Sequence, residues 1–182
     1  MRGLAEFIMR GRWQALAVVV LGAGSLLFGW LSAAAVALVT LRKGVADGAW
    51  LVFWALLPAV LAAWMSGDIG SIVLLVGTFA LAVVLRLTVS LALAVLASVA
   101  LGAVGGSALM LLSGEFLEQL VVIFSDLIGN VETNLAANGE AITLDRPTSG
   151  QVAGILAAGN AVTAVLSLLL ARYWQAALYN PG

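Results

Sequence analysis

Few side chains in this chain could do chemistry, and those that could are set in long apolar stretches. Asn160, with Thr163 and Ser167 near the same helical face, is the most polar group deep in any such stretch. An amide flanked by hydroxyls offers neutral donors and acceptors, which suit a neutral or weakly polar solute or a neighbouring helix. With Asp68, in the turn Ser66-Gly67-Asp68, Asn160 and Thr163 form the candidate ligand-binding set. The competing role for Asn160 is an interhelical hydrogen bond worth roughly 1 kcal/mol or less. No Asp, Glu, Lys or Arg falls near the centre of a hydrophobic span, so neither a proton relay nor a charged coupling site is supported.

The chain contains no histidine and no cysteine. Disulfides, thiolate metal sites, imidazole catalysis and histidine pH switching are therefore excluded. Paired intramembrane carboxylates, a nucleophile with its base and a metal-ligand set are all missing, so the expectation is no enzyme, no cofactor and no metal. Gly22, Gly24 and Gly29 include a G-x-G, but without a strand before it or a Lys after it this is not a nucleotide loop, and no nucleic-acid partner is expected. Trp50 and Trp54, one helical turn apart, read as anchoring and packing residues.

A second pattern is one of close approach. Ser90, Ala94, Ser98, Gly102 and Gly106 recur every four residues, and Ala153, Ala157 and Ala161 do the same beside Gly150, Gly154 and Ala158. Small residues at that interval let helix backbones come together. Ser98, Gly102, Gly106, Ala153, Ala157 and Ala161 thus form a helix-packing face or a docking face for a membrane protein partner or a second copy of the chain.

The elements that position these residues follow from composition. Of 182 residues 63% are hydrophobic and 9% charged, with a mean hydropathy of +1.14, against about 25% charged in an ordinary soluble domain. This composition implies an all-α integral membrane protein, with the lipid bilayer as its main partner. The one long polar passage, Ser113 to Ser149, fixes the layout. Phe116, Leu117, Leu120, Val121, Phe124, Leu127, Ile128 and Val131 recur at helical spacing opposite Glu115, Glu118, Gln119, Asp126, Asn130 and Thr133. That is an amphipathic helix from about Gly114 to about Ala137, with Ser113 as its N-cap and Asn138-Gly139 as a left-handed stop. Thr148 with Gln151 is a capping-box pattern opening the next apolar run.

Across that passage Glu115, Glu118, Asp126, Glu132, Glu140 and Asp145 face one cation, Arg146, which places it away from the cytoplasm. Charge then sets six spans. The first runs from Leu4 to Gly24 and turns near Gly22 to Ser25 into a second, Leu26 to Leu41. The third runs from Gly48 to Met65 and is kinked at Pro58, and the fourth runs from Ile69 to Leu85. Arg86 marks an inner turn, because one helix through to Leu112 would be about 65 Å long, over twice a bilayer core. The fifth runs from Thr88 to Leu112 and the sixth from Ser149 to about Ala177, closed by Arg172, Tyr173 and Trp174 as an inner-face anchor. On this layout seven of eight cations are cytoplasmic, with the N-terminus. The whole chain, 1–182, is one transmembrane domain: 1–112 the first five spans, 113–148 the extracytoplasmic segment, 149–177 the sixth. Its end at Tyr179-Asn180-Pro181-Gly182 reads as the start of a loop, so a longer natural chain is expected.

With a first hairpin ending Leu41-Arg42-Lys43-Gly44, an inner Arg86 and a last helix rich in glycine and alanine, the chain resembles the YybS-like family of bacterial multi-pass membrane proteins. Those are similar in layout to the substrate-capture S components of energy-coupling-factor transporters and, more distantly, to the rod-shape membrane protein MreD. The resemblance implies a bacterial inner-membrane protein with an S-component-like bundle, and a pocket opening outward among the fourth to sixth spans. S components carry Ala-x-x-x-Ala on the first helix for docking; here the nearest spacing is Gly11 to Ala15, and a true Ala33 to Ala37 lies on the second. Two functions follow as expectations. One is a small-solute-binding subunit of a transport system, with the amphipathic helix as its lid; the other is a non-transporting scaffold that recruits partners.

Overall fold

The computed structural model describes residues 2–23, 28–138 and 142–179, and the regular elements among these are all helices, with 142–148 an irregular loop. In order the helices are α1 (Arg2–Arg10), α2 (Arg12–Ala23), α3 (Gly29–Arg42), α4 (Val45–Ser66), α5 (Gly70–Thr88), α6 (Leu91–Leu112), α7 (Gly114–Ala137) and α8 (Ser149–Tyr179). The expected turn at Gly24 and Ser25, the stop at Gly139, Glu140 and the terminal Asn180 to Gly182 lie outside the described residues. The all-α membrane class stands: α4, α5, α6, α7 and α8 are each long and apolar enough to cross a bilayer.

The six expected spans are distributed differently. α2 and α3 have 12 and 14 residues, about 18 and 21 Å at 1.5 Å per residue, short of a hydrocarbon core of about 30 Å. The first expected helix is also broken at Gly11, and α1 turns aside to bury Ala5 and Ile8 against α3 and the end of α8. Hydropathy marked the apolar run correctly but carries no signal for that break.

α3 is the centre of the bundle, packed on by α2, α4, α5 and α8. Ala33, Ala34, Ala35, Val36, Ala37 and Leu38 are all fully buried, because short side chains let four neighbours close in at once. At Gly48 α4 approaches α3 closely, since an added Cβ there would overlap Thr40. Ser32 donates to the Val19 carbonyl at 2.8 Å and Ser167 to the Trp30 carbonyl at 3.1 Å, fastening α2 and α8 to α3.

Charged residues collect at one end of this bundle. Arg86, expected in a turn, lies instead in the last turn of α5, and its guanidinium donates to the Thr40 and Leu41 carbonyls at 3.0 and 2.6 Å. It thereby satisfies carbonyls that the end of α3 leaves without helical partners. Arg12 pairs with Asp47 at 2.8 Å, joining the starts of α2 and α4. The turn from α5 to α6 is made three residues later by Val89, whose φ of 53° is left-handed, followed by Ser90, which caps α6 by accepting from the Leu93 N–H at 3.3 Å.

Three terminal expectations meet different outcomes. Thr148 and Gln151 form the capping box, with Thr148 N–H donating to Gln151 Oε1 at 2.8 Å and Gln151 N–H to Thr148 Oγ at 3.3 Å. Ser113 does not cap α7. It is a one-residue joint whose N–H bonds Leu109 and whose carbonyl accepts from Leu117, both at 2.9 Å, and its hydroxyl is buried with no partner among the described residues. Trp174 is no interfacial anchor: it is fully buried in the core, while the neighbouring Tyr173 is exposed.

Candidate functional site

Asn160 and Asp68 come together, through glycine. Gly70, first residue of α5, donates its N–H to Asp68 Oδ1 at 2.7 Å, and its carbonyl accepts from Asn160 Nδ2 at 3.3 Å. The carboxylate thus serves the positive end of α5, and the amide ties α8 to the same turn. Thr163 is not in this group, because its hydroxyl donates back to the Gly159 carbonyl at 2.8 Å. Asn160 also lines a slot among α5, α6 and α8 with Ser98, Gly102, Ala157 and Ala161, but the slot holds only about 20 Å³. That is room for about one water. These polar groups fasten helices, and the slot beside them is far too small for a metabolite.

The two small-residue registers face one another. A Cβ added at Gly102 would lie 3.3 Å from Ala161 Cβ, and one at Gly106 would lie 3.1 Å from Ala157 Cβ. Ala153 and Ala157 are buried in this seam, as is Ser98, which donates to its own helix at the Val95 carbonyl, 2.6 Å away. Gly105, outside the four-residue pattern, is a close approach of α6 to α5, where an added Cβ would come 2.7 Å from Val73 Cγ1.

Larger spaces lie on the outer face of α8. Between α7 and the first turns of α8 is a cleft of about 650 Å³, walled by Phe124, Ile128, Val152, Gly154, Ile155 and Ala158, with Asp145, Arg146, Pro147 and Gln151 at its polar end. Between α6 and α8 is a groove of about 570 Å³, floored by Gly102, Gly106, Gly150, Ala153 and Ala157. Gly154 and Ala158 belong to both.

α7 frames the cleft because its two halves are held differently. Leu117, Leu120 and Val121 pack on Leu109, Val152 and Ala153, and Phe116 lies over Gly67 in the turn between α4 and α5. Beyond that point Phe124, Leu127 and Val131 remain exposed, and among the described residues the distal half is tied to the following loop through Glu132. Glu132 accepts from Arg146 Nη2 at 2.8 Å and from the Leu144 N–H at 2.7 Å. Those two bonds hold the Glu132 carboxyl below the usual carboxylate range.

Of the expected ligand-binding residues, none lines this cleft. Its polar end was signalled by Arg146, the one cation assigned to the acidic side, and its apolar wall by the stripe containing Phe124 and Ile128. The convergence of these with Gln151 and Ile155 depends on how α7 lies on α8, which one-dimensional spacing does not encode. Comparison of the chain with family models, with curated proteins and with solved structures returned no match.

Proposed function

We propose that this multi-pass membrane protein is a non-catalytic binding subunit whose ligand enters the α7–α8 cleft from the lipid side. The observation that carries this is the contrast between about 650 Å³ in that cleft and about 20 Å³ in the slot beside Asn160. Binding sites for small molecules span roughly 300–1,000 Å³ and pair apolar walls with a few converging polar groups. Here those groups are a carboxylate, a guanidinium and a carboxamide, a set that holds and orients. The solute-binding role is thus kept, while its site moves from the bundle interior to the outer face of α8. The likeness in layout to S components belongs with the same proposal, as a capture subunit serving a separate energising module. So does the placement in a bacterial inner membrane with the N-terminus cytoplasmic, which is supported by the gathering of Arg12, Arg42, Lys43 and Arg86 at one end of the bundle.

The test is mass spectrometry of small molecules that co-purify in mild detergent, on the wild type and on Ala158→Trp, which fills the wall of the cleft. The variant is expected to lose the bound species, and retention at wild-type occupancy would overturn the proposal. A partner-recruiting scaffold is the second reading, favoured by the groove between α6 and α8. Filling it with Ala103→Leu and Ser107→Leu leaves the α7–α8 cleft untouched. Loss of a co-purifying polypeptide or of a dimer, with the small molecule retained, would favour that second role.

A further inference from the structure

Resting on the binding role just described, we propose that the ligand is a two-chain phospholipid with a zwitterionic headgroup, seated astride α8. The shape of the site carries the two chains. The cleft and the groove share Gly154 and Ala158, so the outer face of α8 between them carries at most a methyl group and forms a low ridge between two furrows. Gly154 has nothing within 4 Å of where a Cβ would stand. Both furrows begin at the same level, one beside Gly150 and Met110 and the other beside Pro147 and Gln151. Each then continues along α8 between apolar walls, with volumes of about 570 and 650 Å³. Two acyl chains leaving one glycerol have that geometry, whereas a single chain or a compact solute would occupy one furrow and leave the other to solvent lipid.

The charges at the head of the cleft carry the headgroup. Asp145 and Arg146 are consecutive and opposite in sign, and both line it. Arg146 is 45% exposed, and its bonds to Glu132 at 2.8 Å and to the Leu144 carbonyl at 3.5 Å leave part of its five-donor fork for a phosphate. Asp145 has no ion-pair partner among the described residues and faces an ammonium without competition. A headgroup without an ammonium would leave the Asp145 carboxylate unpaired beside the phosphate.

The experiment is native mass spectrometry of the full chain in detergent, offered equimolar dioleoyl phosphatidylethanolamine, dioleoyl phosphatidylglycerol and oleoyl lysophosphatidylethanolamine. The wild type is expected to keep one dioleoyl phosphatidylethanolamine, several-fold over either competitor. Asp145→Asn should abolish the preference over phosphatidylglycerol while a lipid stays bound. Gly154→Leu raises the ridge without an internal clash, so it should fold normally and lose the two-chain lipid. Equal retention of the two dioleoyl lipids by the wild type, the mark of annular lipid only, would overturn the headgroup assignment, and equal retention of the lyso form would overturn the two-chain seat. If those preferences fail but Ala158→Trp still strips a bound molecule, this inference falls and the binding role survives. If Ala158→Trp changes nothing, both fall.

Discussion

At the scale of single residues the bundle is set by where a carbon atom can be added. Gly105 faces Val73 with no room for a Cβ, while Gly154, on the ridge of α8 between groove and cleft, faces open space. Gly105→Leu is therefore expected to lower thermal stability by at least the ~1–3 kcal/mol typical of overpacking, and Gly154→Leu to leave it near wild type, as read by thermal unfolding in detergent. Gly102 and Gly106 should tolerate Ala better than Leu, because their neighbours are the methyl groups of Ala161 and Ala157. Full stability of a Gly102→Leu, Gly106→Leu double variant would contradict the seam. Asn160→Leu should cost about 1 kcal/mol or less, the value of one interhelical hydrogen bond, without changing bound ligand. The seam was legible because it repeats every four residues; Gly105 was not, because a single glycine off that register looks like any other.

At the scale of the element, α7 shows what periodicity can and cannot give. Its bounds, Gly114–Ala137, match the expected span of the amphipathic stripe, since a 3.6-residue period is a local property. Which half of the stripe is covered is not local, and only Leu117 is buried, with Leu120 and Val121 half-buried beside it against α6 and α8. The distal half depends on Glu132, whose pKa is lowered in the folded chain. A lowered folded-state pKa means that the tie is complete near neutral pH and is lost as pH falls through a value below the ordinary carboxylate range. Hydrogen exchange should accordingly show amides near Val131 to Leu135 losing protection in acid before those near Leu120. Glu132→Gln should remove that pH dependence, and an unchanged acid profile in that variant would show that the tie is not what holds α7. Replacing Gly114 to Ala137 by a flexible linker removes the Phe124 and Ile128 wall; insertion should persist while ligand retention is lost.

At the scale of the whole molecule, the positions of charge were the most readable feature. Arg12 and Arg86 do meet Asp47 and the end of α3 at one end of the bundle. Reporter fusions after Lys43 and Arg86 are expected to read cytoplasmic and fusions near Asp68 and Asn138 periplasmic, and a cytoplasmic signal at Asn138 would overturn that orientation. Less readable were the shortness of α2 and α3 and the burial of Trp174, since an apolar residue looks the same to hydropathy whether lipid or protein surrounds it. The central place of α3 has a consequence for biosynthesis. Its alanine surface is made early, yet the hydroxyl that grips its first turn, Ser167, comes from α8, more than a hundred residues later in the chain. The nascent chain must hold a half-wrapped hairpin in the membrane until α8 arrives, so a chain cut before Ser149 should be a substrate for membrane proteolysis even though every earlier helix is intact.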